Sequence, residues 1–246
     1  MVRTFALAVT AAGLCLGSVD ANAQSTDSGK TLTLVSASAW GSNANGGPFE
    51  VDPSFGGHTA TGKFGASEGN FISFCLERDE FVTEGTTYNV QIGTSASNGG
   101  FGGGNPDPLD ERTAFLYTKF AEGTFADDFN AWSGSTFEFT YLDTYDGEIL
   151  QDAIWIIEDE KPLKRGDDDR AFQDEIIAWA EQAVADGGEW FGRGLGSVRV
   201  MTLTNLDGTP AQDMITIVPL PMPVALGLAG LFGVGIMTRM RRGINA

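Results

Sequence analysis

Cys75, in the stretch FISFCLE, has the side chain in this sequence best suited to covalent chemistry. The chain contains 2 cysteines, and the other, Cys15, lies in an N-terminal stretch with the features of a cleaved leader. Removal of that leader would exclude an intramolecular disulfide. Three roles then remain open for Cys75: a small buried hydrophobic residue, one half of an intermolecular disulfide, or a reactive thiol.

A second short motif, LQDAIW at residues 150–155, follows FCLE along the chain. Together the two motifs resemble those of bacterial thioester domains, which are found in adhesins. Those domains combine an aromatic-Cys-hydrophobic-acidic element with an apolar-Gln-x-Ala-apolar-Trp element. The resemblance covers about residues 71–159. It implies that Cys75 and Gln151 supply the two halves of an internal thioester.

These residue types suit the implied chemistry. A Cys75 thiolate that attacks the Gln151 carboxamide expels ammonia and leaves an acyl–sulfur bond, so the cysteine must be activated and the glutamine held in attack geometry. On a helix, Trp155 lies four residues after Gln151 on the same face. We expect Phe74 and Trp155 to screen the bond from water and the small Ala153 to leave room for it.

Glu77 is the acidic residue of the first motif. Period-two alternation places it on the same side of a strand as Cys75, where we expect it either to transfer protons or to face solvent. The thioester would cross-link the fold and remain open to attack by an amine. The outcome of that attack is a covalent amide tether without turnover, so we predict a protein that is not an enzyme.

Other chemistries have weaker support. His58 is the single histidine, and no Gly-x-Ser-x-Gly motif accompanies it, so neither a catalytic triad nor a zinc site is predicted. No cofactor is expected, and no carboxylate pair can be nominated for a glycosidase. Asp143, Asp146 and Glu148 would be our choice of calcium ligands, but their spacing matches neither an EF-hand loop nor the RTX nonapeptide, and a solvated loop is the preferred interpretation.

Both ends of the chain carry export features. Residues 1–23 combine Arg3, an apolar run and an Ala-Asn-Ala cleavage pattern, which is typical of a Sec signal peptide. Residues 218–237 form an uncharged run that is about long enough, at 1.5 Å per residue, to span a hydrocarbon core of ~30 Å as a helix. The arginines that follow would hold the last residues in the cytoplasm.

The tail, residues 218–246, resembles the PEP-CTERM sorting signal in its VPLPA-CTERM variant. The matching residues are Val218, Pro219, Leu220, Pro221, Arg239, Arg241 and Arg242. The resemblance implies a Gram-negative bacterium and an exosortase that cuts near the VPLP element. The protein would pass through an inner-membrane intermediate to the cell surface or extracellular matrix.

Composition limits the partners. The chain has 33 acidic and 15 basic residues and a formal net charge of −18, which disfavours nucleic acid and anionic membrane surfaces. Such a charge attracts divalent cations or basic partner surfaces. Removal of both ends leaves residues 24–217, a length that suits one domain.

Hydrophobic periodicity divides this domain into strands, then helices, then strands. The predicted strands are TLTLVSASAW, FISFCLE, TYNVQI, SVRVMTLTN and DMITIV. The predicted helices are DPLDERTAFLYTKFAEG, GEILQDAIWIIEDE and RAFQDEIIAWAEQAVADGG. This order predicts an α+β fold, in which strands from both ends of the domain form a sheet or sandwich around an inserted helical layer, followed by a C-terminal transmembrane helix.

The sequence thus favours an exported surface or matrix protein that carries a thioester-forming adhesion domain. Its expected partners are an exosortase-type enzyme, the membrane before processing, and an amine-bearing surface or matrix target. The alternative is a non-covalent structural component of a biofilm or extracellular polymer, with Cys75 packed in the core. A secreted hydrolase is the third candidate.

Overall fold

A computed structural model of the 246-residue chain describes residues 29–37, 39, 47–56, 61–97, 104–134, 139–141, 143–160 and 170–218. The strands are β1 (Thr31–Ser36), β2 (Phe49–Pro53), β3 (Phe71–Ser73), β4 (Thr87–Gly93), β5 (Ser95–Ala96), β6 (Asp107–Pro108), β7 (Val198–Thr204) and β8 (Met214–Ile217). The helices are α1 (Glu111–Glu122), α2 (Phe125–Ser133), α3 (Thr144–Ile157) and α4 (Arg170–Val184).

The main sheet joins strands from both ends of the described chain. Its order is β3-β2-β1-β4-β7-β8, and every neighbouring pair is antiparallel. The helices lie between β6 and β7 in the chain. The prediction of a mixed fold, with shared N- and C-terminal strands and an inserted helical layer, is therefore confirmed.

The two edge strands of this sheet approach each other and nearly close it into a barrel. Beyond β3 the chain forms an antiparallel bridge between Cys75 and Met214. The N–H of Leu76 donates to the Asp213 carbonyl at 2.9 Å, and the N–H of Ile215 donates to the Phe74 carbonyl at 3.2 Å. The segment that carries Cys75 therefore lies at the seam of the sheet.

Alternating side chains along the strands produce two hydrophobic cores. The sheet core consists of Leu32, Leu34, Phe49, Val51, Phe71, Cys75, Tyr88, Val90, Trp155, Met201, Leu203, Ala211 and Met214. The helix core lies on the other side of the seam, where Ile72, Phe74, Val200 and Ile215 meet the apolar faces of the helices. Because successive strand residues face opposite ways, Phe74 and Cys75 enter different cores.

Local sequence signals set the helix that carries Gln151. The carboxylate of Asp143 accepts a hydrogen bond from the Tyr145 N–H at 2.8 Å and caps α3. The next turns bury Leu150 and Ile154 completely in the helix core. This anchoring fixes the rotation of α3 and hence the direction of its other face.

None of the helices among the described residues combines the length and apolar character needed to cross a membrane. The predicted signal peptide, residues 1–23, lies outside the described residues. So does the predicted transmembrane run, apart from its first residue, Val218.

Candidate functional site

Cys75 is placed by the hydrogen bonds of its two neighbours. Phe74 and Leu76 bond to the β8 side of the seam. In an antiparallel ladder the residue between two such neighbours directs its own N–H and C=O toward the opposite side. Both main-chain groups of Cys75 therefore face away from β8, at a position beyond the last paired residue of β2.

The side chain of Gln151 occupies that position. Its Oε1 accepts a hydrogen bond from the Cys75 N–H at 2.9 Å, and its Nε2 donates to the Cys75 carbonyl at 2.9 Å. The carboxamide thus pairs with Cys75 as a neighbouring strand would. The structure brings together the two residues that the sequence motifs nominated, from positions 76 apart in the chain.

Gly47 completes the surroundings of the carboxamide. Its N–H also donates to Gln151 Oε1, at 3.0 Å, so the oxygen accepts two backbone hydrogen bonds. A Cβ at position 47 would lie 3.0 Å from this oxygen, 3.0 Å from the Ser73 carbonyl oxygen and 3.1 Å from Phe49 Cδ2. Only glycine allows the backbone to approach this closely.

The thiol of Cys75 is enclosed with the carboxamide. Cys75 is 2% exposed and Gln151 is 1% exposed. Burial raises the pKa of the thiol, the Gly47 N–H opposes that effect, and the charge of Glu77 adds to it. The Gly47 N–H, which donates to Gln151 Oε1, thus also favours the charged form of the thiol.

Trp155 lies in the same hydrophobic core as the thiol. It lies one turn after Gln151 on α3 and belongs to the sheet core with Cys75 and Met214. Its Nε1 is buried without a hydrogen-bond partner among the described residues. The prediction that Trp155 shields the thiol agrees with this placement.

Phe74 and Ala153 were expected beside the bond, and the structure places both in the helix core instead. The ring of Phe74 packs edge-on against Phe120, with ring centroids 5.1 Å apart. The reason is periodicity. Phe74 is adjacent to Cys75 on an extended segment, and Ala153 lies two residues from Gln151 on a helix, so each points away from the site.

Glu77 does not face solvent, which corrects one of the two expectations for it. Its residue is 1% exposed, and the Gln212 side-chain amide donates to its carbonyl. Its charge is close enough to raise the pKa of the Cys75 thiol. The proton-transfer role of Glu77 stays a prediction.

The carboxylates first considered for calcium have structural roles. Asp143 caps α3, and Asp146 accepts hydrogen bonds from the N–H and hydroxyl of Thr140. Glu148 is half-buried on α3. The carboxylates that converge among the described residues are instead Glu77, Asp79 and Glu160.

Two other predicted features lie largely outside the described residues. His58 is not described. Of the sorting-signal residues only Val218 is described, and its N–H donates to the Ser197 carbonyl at 2.9 Å. The structure therefore leaves the tail prediction as it stood.

A separate concavity lies between β4, β5 and β7. This pocket of about 530 Å³ is lined by polar side chains that include Gln91, Ser95, Asn105, Thr202 and Thr204. Among its described lining residues there is no carboxylate and no imidazole. Its described lining residues offer hydrogen bonds to a ligand.

Comparison with protein-family models, curated proteins and solved structures finds no match to this chain.

Proposed function

We propose that this protein is an exported adhesion protein whose domain forms an internal thioester between Cys75 and Gln151. The observation that carries the proposal is the pairing of the Gln151 carboxamide with the main chain of Cys75, with the amide oxygen held by two backbone N–H groups. The same pairing brings the carboxamide to the residue that carries the thiol.

The two donors suit the charge that develops during the reaction. When sulfur attacks the Gln151 Cδ atom, the amide oxygen becomes an oxyanion. Donors at 2.9 and 3.0 Å, from Cys75 and Gly47, are already oriented toward that oxygen. Preoriented donors at such distances stabilise tetrahedral intermediates in acyl transfer.

The reaction is a simple acyl exchange. The Cys75 S–H and Gln151 C–N bonds break, the S–C bond forms, and nitrogen leaves as ammonia with the thiol proton. Because burial holds the pKa of the thiol above its ordinary value, the proton needs an acceptor during attack. The buried carboxylate of Glu77, whose charge acts on the thiol, is our candidate for that acceptor.

The product is an electrophile protected by burial. An amine on a target molecule would attack the thioester carbonyl, form an amide with residue 151 and return the thiol of Cys75. The chain would then be bonded covalently to its target, with no turnover. With site residues only 1–2% exposed, water is excluded and we expect slow reaction with bulk amines in the native state.

Export and sorting belong to the same proposal. A signal peptide over residues 1–23 would direct the chain through Sec. The tail, residues 218–246, would form a transmembrane helix, hold an inner-membrane intermediate and present the VPLP element to an exosortase. Deletion of residues 218–221 should block release from the membrane, and unchanged release would contradict sorting.

Intact mass spectrometry tests the thioester directly. Loss of ammonia should lower the mass of the purified protein by about 17 Da, and methylamine added to the unfolded protein should then add about 31 Da. Cys75→Ala and Gln151→Ala should show neither change. Gln173→Ala, which removes a half-buried glutamine on α4, is the matched control and should behave as wild type.

A second candidate function is a non-covalent structural component of a biofilm or extracellular polymer. The polar pocket favours it, because side-chain hydroxyl and amide groups can bind the hydroxyls of a polysaccharide. Cys75 would then be a packed residue. An unmodified mass, with Cys75 fully alkylated after unfolding, would favour this alternative over the thioester.

A further inference from the structure

Three carboxylates converge where the Cys75 segment passes the end of α3. One oxygen from each of Glu77, Asp79 and Glu160 lies within 4.8 Å of the other two. Glu77 and Glu160 are each 1% exposed, whereas Asp79 is exposed. The cluster therefore has two buried members and one member at the surface.

One carboxylate oxygen of Glu160 lacks a hydrogen-bond partner. Its Oε2 accepts a hydrogen bond from the Arg78 N–H at 3.3 Å, but its Oε1 is buried and has no hydrogen-bond partner. Within the described residues, neither Asp79 nor Glu160 forms an ion pair with a lysine or arginine. A buried carboxylate oxygen without a donor is unfavourable unless a proton or a cation accompanies it.

We propose that Glu77, Asp79 and Glu160 bind a calcium ion. Calcium takes oxygen ligands at 2.3–2.6 Å, so two ligands on opposite sides of the ion lie about 5 Å apart. Carboxylate oxygens that all lie within 4.8 Å of one another are compatible with such a ligand shell.

The ion would join two segments that also meet at the candidate thioester. Glu77 and Asp79 follow Cys75 in the chain, and Glu160 follows α3, which carries Gln151. Calcium would therefore fasten the Cys75 segment to the end of α3. The exposed side of Asp79 leaves space for the water ligands that complete a coordination number of 6–8. The proposal does not require the thioester to form.

Calcium titration of the full chain after chelator treatment tests the site. We expect isothermal titration calorimetry to show one calcium ion per chain, and Tm to rise by roughly 5–10 °C at about 100 times Kd. Glu160→Gln and the exposed Asp79→Asn should each weaken binding by about tenfold or more. Glu160→Gln should also raise Tm in chelator, because it removes one of three converging charges.

Two further variants make the result specific. Glu148→Gln removes the same charge from the face of α3 first considered for calcium, and it should bind calcium as wild type does. Cys75→Ala should also retain calcium affinity, which separates failure of this site from failure of the thioester. Absence of calcium binding by the wild type would overturn the proposal. So would wild-type affinity in both Glu160→Gln and Asp79→Asn, or an equal loss in Glu148→Gln.

Discussion

At the scale of single residues, Gly47 decides how closely the chain can approach Gln151. We expect Gly47→Ala to lower the free energy of unfolding by about 1–3 kcal/mol, because the new Cβ would press on the amide oxygen and on the Ser73 carbonyl. Displacement of the amide should also reduce the fraction of chains that lose ammonia. Urea denaturation and intact mass measure the two effects.

The control for this change is Gly56→Ala. A Cβ at Gly56 meets no atom within 4 Å, so this variant should match wild type in both measurements. If Gly47→Ala were as stable and as fully converted as Gly56→Ala, the close approach at position 47 would have no role in the reaction.

The chemistry-bearing residues could be predicted from sequence better than their surroundings could. Cys75 and Gln151 were nominated because thiol and carboxamide lie in two recognisable motifs. Phe74 was misplaced, although strand alternation alone would have put it opposite Cys75. Gly47 was missed, because it lies in the glycine-rich stretch GSNANGGP and nothing there distinguishes a close approach from an ordinary turn.

At the scale of elements, α3 must hold its rotation for Gln151 to reach Cys75. Asp143 caps the helix through the Tyr145 N–H at 2.8 Å. Asp143→Ala should therefore lower the free energy of unfolding by about 1 kcal/mol, and Asp143→Asn should retain most of the stability, because asparagine caps equally well. Chemical denaturation measures both variants.

Calcium separates the capping role of Asp143 from a role as metal ligand. The stability difference between Asp143→Ala and wild type should be the same in chelator and in calcium. A difference that appeared only in calcium would return Asp143 to the list of metal ligands and would contradict the capping explanation.

Long periodic elements were predicted and short ones were missed. The helices α1, α3 and α4 and the strands β1, β4, β7 and β8 agree with the segments predicted from their periodicity. The five-residue strand β2 was missed because it is short and ends at Pro53. The nine-residue helix α2 was missed although Phe125 and Phe129 are spaced by one turn and fully buried.

At the scale of the whole molecule, closure of the sheet buries the carboxyl group of Asp213 at its seam. Asp213 accepts hydrogen bonds from the Ser97 N–H at 2.5 Å and the Leu203 N–H at 3.3 Å, while its own carbonyl pairs with Leu76. Burial raises the pKa of Asp213 from 3.8 to about 7, and burial likewise raises the pKa of Glu158 to about 8. In this molecule of net charge −18, folding thus makes the protonated forms of Asp213 and Glu158 more favourable than they are in the unfolded chain.

These raised pKa values determine whether the free energy of unfolding rises or falls with pH. Between about pH 4 and pH 7 the folded state retains a proton on Asp213 that the unfolded chain has released, so the folded state binds more protons and stability falls as pH rises. The loss for Asp213 is at most about 4 kcal/mol, at 1.36 kcal/mol per pKa unit. We expect urea denaturation in chelator to show lower stability at pH 8 than at pH 5.

Asp213→Asn should flatten that slope because asparagine does not ionise, whereas Glu122→Gln, at the exposed end of α1, should keep it. A wild-type stability that increased from pH 5 to pH 8, or an unchanged slope in Asp213→Asn, would mean that the seam of the sheet does not bury a protonated Asp213.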